Sequence, residues 1–180
     1  MKVFVCGANC TGKTTLINDL SVDMGLEKLD SFTRNFREKN PKVGSHMDSE
    51  FQDKALVYFL SDYVGRDNFI SSRSIVDSYA YLQANKTKDR KFLFEVLDYF
   101  KKYFLSEDCV YVYLPVSFEI NSNGKNRDAD IDYQMKIDEE VMRFFENLME
   151  VDSDSSFHVL TGTPEERVQK LTKIIKDNEK

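Results

Sequence analysis

An α/β domain, a parallel sheet with helices on both of its faces, is the fold class that the 180-residue sequence predicts. Three observations carry that prediction. Short apolar runs alternate with longer segments whose apolar residues recur at helical spacing, the pattern of successive βαβ units. The first apolar run, "KVFVC", passes through a glycine-bearing loop, "GANCTGKT", straight into a helical segment. The run "CVYVYLPV" is apolar without alternation, as a strand buried on both faces should be.

The elements follow in order. "KVFVC" is a strand and "KTTLINDLSVDM" the helix that the loop opens; "LEKLDSF" is a weaker second strand. "TRNFREKNPKVGSHMD" is polar, holds Pro41 and Gly44, and reads as loop. "SEFQDKALVYFLSDYVG" has helical spacing and Gly65 as its stop, and "NFISS" is a third strand. "KTKDRKFLFEVLDYFKKYFL" is a helix that buries Phe92, Val96, Leu97, Phe100 and Phe104. "CVYVYLPV" is the fourth strand, "DADIDYQMKIDEEVMRFFENLMEV" a long helix, "SFHVLTG" the last strand and "PEERVQKLTKIIKDN" the last helix. No fixed-period repeat or low-complexity linker interrupts them, so residues 1–180 read as one domain.

Composition narrows the function classes. Hydrophobic residues at 41%, with 14 Phe and 9 Tyr, supply a core and exclude a disordered chain. A net charge of −6 and the lack of a basic run speak against a nucleic-acid or membrane-surface binder. No apolar run reaches the roughly 18 residues of a membrane span, and no signal segment precedes the loop. Cys6, Cys10 and Cys109 match no zinc spacing and fit reduced thiols in a cytoplasmic protein. His46 and His158 read as incidental, the latter in a buried strand.

The loop itself is the strongest signal. Gly7, Gly12, Lys13 and Thr14 satisfy G-x-x-x-x-G-K-[ST] between a strand and a helix, the setting that a phosphate-binding loop requires. Its glycines let main-chain N–H groups of Gly7, Ala8, Asn9, Cys10, Thr11, Gly12, Lys13, Thr14 and Thr15 curl around phosphates at a helix N-terminus. Lys13 would reach the outer phosphates of ATP, and the Thr14 hydroxyl would be a ligand to Mg2+. A GTPase would add an "NKxD" motif; "NKTKD" at 85–89 has Lys88 where the aspartate belongs.

Downstream of the loop stand "FISSRSIVDSYAYL", "NGKNRDADIDYQMKID" and "LTGTPEERV", each following a predicted strand. With "SFTR" after the second strand, their order resembles the small P-loop nucleoside and nucleotide kinases, nicotinamide-riboside-kinase-like and bacteriophage-type. That group carries a strand-end E-Y-x-R, a D-R-[ST]…D…Y segment, a G-x-R-x-x-D-x-x-[YF]-[QR] lid and a final G-[ST]-x-E-x-R loop. The matches run from Gly7 to Arg167. The resemblance implies a three-layer P-loop NTPase fold, its five parallel strands in the order 2-3-1-4-5, with a small lid at about 121–134. It also implies ATP as phosphate donor and a nucleoside or its monophosphate as acceptor.

The same resemblance suggests roles. Arg73 would meet the acceptor or the transferring phosphate, Arg34 the acceptor, and Arg127, with Asp130, Tyr133 and Gln134 behind it, the phosphates from the lid. Thr161, Gly162 and Thr163 would lie beside the adenine, with Arg167 near them. Two positions depart from the pattern: Ser31 and Ser72 stand where the group has acids. Asp30 and Asp77 are the nearest replacements, although Asp30 equally suits a turn and Asp77 a helix cap. Tyr79 and Tyr81 suit the core or a stack on the acceptor base. A monophosphate acceptor is already ionised and needs no base, whereas a nucleoside hydroxyl does. A nucleoside monophosphate kinase is therefore the expectation, and the resemblance to the bacteriophage-type group implies a deoxynucleotide as its substrate. The alternatives are a nucleoside or nicotinamide riboside kinase, a kinase acting on DNA, and a nucleotide-binding module without turnover. A homodimer stays open.

Overall fold

Alternation along β1 (Lys2–Cys6) decides how the layers assemble. Val3 and Val5 belong to one buried cluster, Phe4 and Cys6 to another on the opposite face. β4 (Cys109–Tyr113) divides in the same way, Val110 and Val112 against Cys109, Tyr111 and Tyr113. One face of the sheet is thus aliphatic and the other largely aromatic. The computed structural model describes residues 1–20, 24–29, 56–59, 61–85, 90–105, 108–117, 131–151 and 156–178.

β2 (Glu27–Leu29), β3 (Phe69–Ser71) and β5 (Ser156–Val159) complete a five-stranded sheet in the order β2-β3-β1-β4-β5. Every pairing is parallel, with Lys2 opposite both Phe69 and Cys109. This is the topology that the resemblance implied. On the aliphatic face, α1 (Lys13–Asp19) and α5 (Pro164–Asn178) pack Leu16, Ile17, Leu171 and Ile175. The aromatic face is covered by α2 (Ile75–Asn85), α3 (Arg90–Phe104), α4 (Ile131–Val151) and helical turns at 56–59 and 61–63. Phe4 is the centre of that face, stacked on Tyr111 at 5.0 Å and meeting Tyr63, Phe69 and Phe104 edge-on. Each such pair contributes about 0.5–1.5 kcal/mol beyond its buried area.

The end of one helix and the burial of one histidine differ from expectation. α1 ends at Asp19 rather than Met24, because Leu20 leaves helical angles (ψ 126°) and buries its side chain against the aliphatic face. His158 is half-buried on the edge strand β5, not enclosed. α5 starts as its sequence requires: Thr163 and Glu166 cap each other's main-chain N–H groups, with Pro164 as the first helical residue. What matters for the site is that the C-terminal ends of β3, β1 and β4 adjoin one another. That edge is where open parallel sheets place their ligands.

Candidate active site

Gly7 to Thr14 leave the C-terminal end of β1 and lead into α1. Only glycine fits at Gly7: its φ is 146°, and a Cβ there would stand 2.5 Å from the Leu114 carbonyl oxygen. Gly12 caps α1 from the left-handed region at φ 92°, and Cys10 shares that region at φ 62°. Three residues with positive φ in a row of six bend the chain into a concave backbone, the shape that presents N–H groups to an anion.

Four other elements hold this loop. From α2, the Asp77 carboxylate accepts the Gly7 N–H at 3.0 Å. Its other oxygen accepts Ser74 N–H at 2.8 Å, while Ser74 Oγ accepts Val76 N–H at 3.1 Å, a reciprocal cap on α2. From α4, Gln134 Nε2 donates to the Asn9 carbonyl. From α5, Arg167 Nη1 donates to the Thr11 carbonyl at 3.0 Å. From the end of β3, Arg73 Nη2 donates to Asn9 Oδ1 at 3.3 Å. Thr11 Oγ1 closes the turn on the Ala8 carbonyl.

Lys13 is folded back into the loop. Its ammonium donates to the carbonyls of Gly7 at 2.6 Å and Ala8 at 2.7 Å, and it lies 4.0 Å from Asp77. Burial lowers its pKa to about 8; Asp77 opposes that shift and the Arg73 charge adds to it. Arg73 is 8% exposed, and its Nη1 is buried with no hydrogen-bond partner, while its guanidinium carbon sits 5.8 Å above the Tyr81 ring. A buried cation with an unused donor beside a concave loop of N–H groups is built for an anion. The Thr14 hydroxyl stands at the first turn of α1, half-buried, with the hard oxygen that Mg2+ takes.

The structure therefore gathers Lys13, Arg73, Asp77 and Gln134 about the loop. Thr161, Gly162 and Thr163 are exposed after β5, one turn before Arg167. Arg167, which the resemblance put near the adenine, bonds the loop through the Thr11 carbonyl. Asp30, Arg34, Arg127, Asp130 and lid residues 121–130 lie outside the described residues; Tyr133 and Gln134 open α4. Tyr81 is core, 1% exposed, and Tyr79 packs on Phe144 at 5.0 Å. A further buried acid stands beside the site. Asp138, 9% exposed on α4, accepts the Val116 N–H just beyond β4, and burial raises its pKa against the pull of Tyr113 and that N–H. Its signal was an acid one turn after Gln134 on the face that carries Ile137 and Val141.

The sequence profile of the AAA domain family matches residues 2–167, a span that includes every loop contact just described. The chain belongs to the AAA domain family. No curated protein sequence matches this AAA domain significantly. Among solved structures it is similar to deoxyadenosine kinase from M. mycoides with dCMP and a flexible dCDP bound. That match has a TM-score of 0.73 at 17% identity and covers 98% of this chain and 99% of the other. Thymidylate kinase from Candida albicans gives 0.67 at 16% identity, over 99% and 92% of the two chains. NadR in complex with NR gives 0.71 at 13% identity, over 98% of this chain but 51% of the other. What the AAA domain shares with these proteins is the fold of the P-loop nucleoside and nucleotide kinases. Among the described residues no helix is long and apolar enough to cross a membrane.

Proposed function

We propose that this AAA domain is an ATP- and Mg2+-dependent kinase that transfers the γ-phosphate to a nucleoside monophosphate, a deoxynucleotide above all. The observation that carries this reading is Arg73: a buried guanidinium with one donor unused, bonded by the other to the phosphate loop through Asn9. A cation so placed suits a second phosphate facing the one that Lys13 holds. Lys13 leaves its carbonyls for the outer phosphates of ATP, the loop N–H groups hold the inner ones, and Thr14 offers its hydroxyl to Mg2+. The metal, when bound, neutralises charge on the outer phosphates. Arg34 serves the acceptor, Arg127 closes over the phosphates from the lid, and Thr161, Gly162 and Thr163 flank the adenine. The protein works as a cytoplasmic enzyme on small molecules, chiefly by positioning and charge neutralisation.

The geometry favours a monophosphate over a nucleoside acceptor. Both oxygens of Asp77 are committed, one to Gly7 and the other to Ser74, so this carboxylate holds the loop rather than waiting for a proton. Asp30 stays the alternative carboxylate for metal or proton handling. The similarity to the thymidylate kinase of C. albicans supports a monophosphate acceptor. A nucleoside acceptor is the second reading, supported by the deoxyadenosine kinase of M. mycoides.

A panel assay decides the matter. ADP release from ATP is measured with each ribo- and deoxynucleoside monophosphate and each nucleoside, alongside Lys13→Ala. Acceptor-dependent turnover with a deoxynucleoside monophosphate, abolished in a folded Lys13→Ala protein, is the expected result. Turnover with nucleosides alone would move the assignment to the second reading. ATP binding without turnover on any acceptor would make the domain a binding module.

A further inference from the structure

Two tyrosine hydroxyls stand among the rings around Phe4: that of Tyr111 bonds the Phe104 carbonyl within the core, whereas that of Tyr63 reaches the site. Tyr63, 2% exposed, stacks on Phe59 at 5.6 Å and Phe69 at 5.3 Å and meets Phe4 edge-on. Phenylalanine would fill the same space without a polar atom to satisfy. The hydroxyl has a definite partner, however: it donates to the Arg73 carbonyl at 2.6 Å and lies 2.9 Å from Ser71 Oγ. Ser71 Oγ is itself 2.7 Å from that carbonyl and accepts the Arg73 N–H at 3.4 Å. Both polar groups of the Arg73 backbone are thus bound by side chains, just where β3 has ended and α2 has not begun. Burial raises the Tyr63 pKa well above 10, which keeps the hydroxyl a donor.

We infer that Tyr63 and Ser71 are positioning residues for the reaction, acting through the Arg73 backbone to aim its guanidinium at the phosphate loop. The inference rests on the assignment of Arg73 to the phosphates. Asp77 holds the N–H of the peptide that follows Arg73 and the clamp holds its carbonyl; without the clamp that peptide keeps one anchor and can tilt about it. The arginine spans several rotatable bonds, so a small rotation at its root carries Nη1 away from the position it must hold. Misplacement by about 1 Å costs on the order of a hundredfold in rate in tightly organised sites. The Tyr63 hydroxyl bonds Ser71 and Arg73 rather than the loop or Lys13, so its effect on ATP should be slight.

The test is a double-mutant cycle on the full chain, with Tyr63→Phe, Arg73→Ala and both together, assayed for kcat and for KM of ATP. Tyr63→Phe keeps the ring packing, and Ser71 still bonds the carbonyl, so the protein should fold. The expected result is a fall in kcat of about tenfold with KM for ATP within about twofold, and no further fall when Tyr63→Phe is added to Arg73→Ala. An equal loss in both backgrounds would show a general structural role and overturn the inference. So would an unchanged kcat in Tyr63→Phe. Full activity in Arg73→Ala alone would remove Arg73 from the mechanism and the clamp with it, an outcome read from a different protein. If Tyr63→Phe folds too poorly to assay, Ser71→Ala replaces it in the same cycle with the same outcomes.

Discussion

Lys13 is the residue whose state must change most when the site fills. Buried in its own loop, it titrates at about 8 instead of its ordinary 10.5. A lysine lowered on folding works against the fold fully below about 8, and the burden lifts as pH rises towards 10.5. A bound phosphate does the opposite, since it favours the ammonium form. Above about 8, ATP must therefore bind together with a proton that the free protein has lost. The dissociation constant for ATP should rise with pH there, approaching about tenfold per pH unit, and calorimetry in two buffers of different ionisation enthalpy should show close to one proton taken up. Affinity that stays level to about pH 9, with no proton uptake, would mean that Lys13 stays charged in the empty loop.

At the scale of elements, the joint between α2 and the phosphate loop is the most consequential. Asp77 is 1% exposed and ties the α2 cap to Gly7 with its two oxygens. Asp77→Asn would turn an amide N–H2 towards groups that already donate. It should cost about 1–3 kcal/mol, seen as a lower urea midpoint at unchanged slope. A loss below about 0.5 kcal/mol would show that the joint is held by other contacts. The sequence made the loop legible because its glycines answer a local demand: Gly7 has no room for a side chain, and Gly12 needs a positive φ. The helices with strong periodicity were legible for the same reason, each being an amphipathic surface. The grips on the loop from Gln134 and Arg167, the clamp at Tyr63 and the buried Asp138 were not. They join residues distant in sequence, and no local rule encodes such a meeting. The end of α1 at Asp19 has no local signal, because burial of Leu20 overrides a run of residues able to continue the helix.

For the molecule as a whole, stability is concentrated on the aromatic face. Phe4 touches rings from β3, β4, α3 and the turn at 61–63, so truncating it opens a cavity that no single neighbour can close. Phe4→Ala should destabilise the domain by about 3–5 kcal/mol, a large part of the 5–15 kcal/mol typical of a domain. Phe4→Leu, which keeps most of the volume, should cost far less. Chemical denaturation of both variants checks this, and a loss below about 1.5 kcal/mol for Phe4→Ala would show that the face repacks.

The pairing of Lys2 with both Phe69 and Cys109 has a consequence during synthesis. β1 leaves the ribosome before either of the strands that flank it in the sheet. At roughly 5–20 residues per second, many seconds pass before β4 emerges. Throughout that interval Val3, Phe4 and Val5 form a ready edge for aggregation, immediately before the loop on which activity depends. Arg167 arrives later still, so the nascent chain holds the whole phosphate-binding motif well before it can hold the loop in shape.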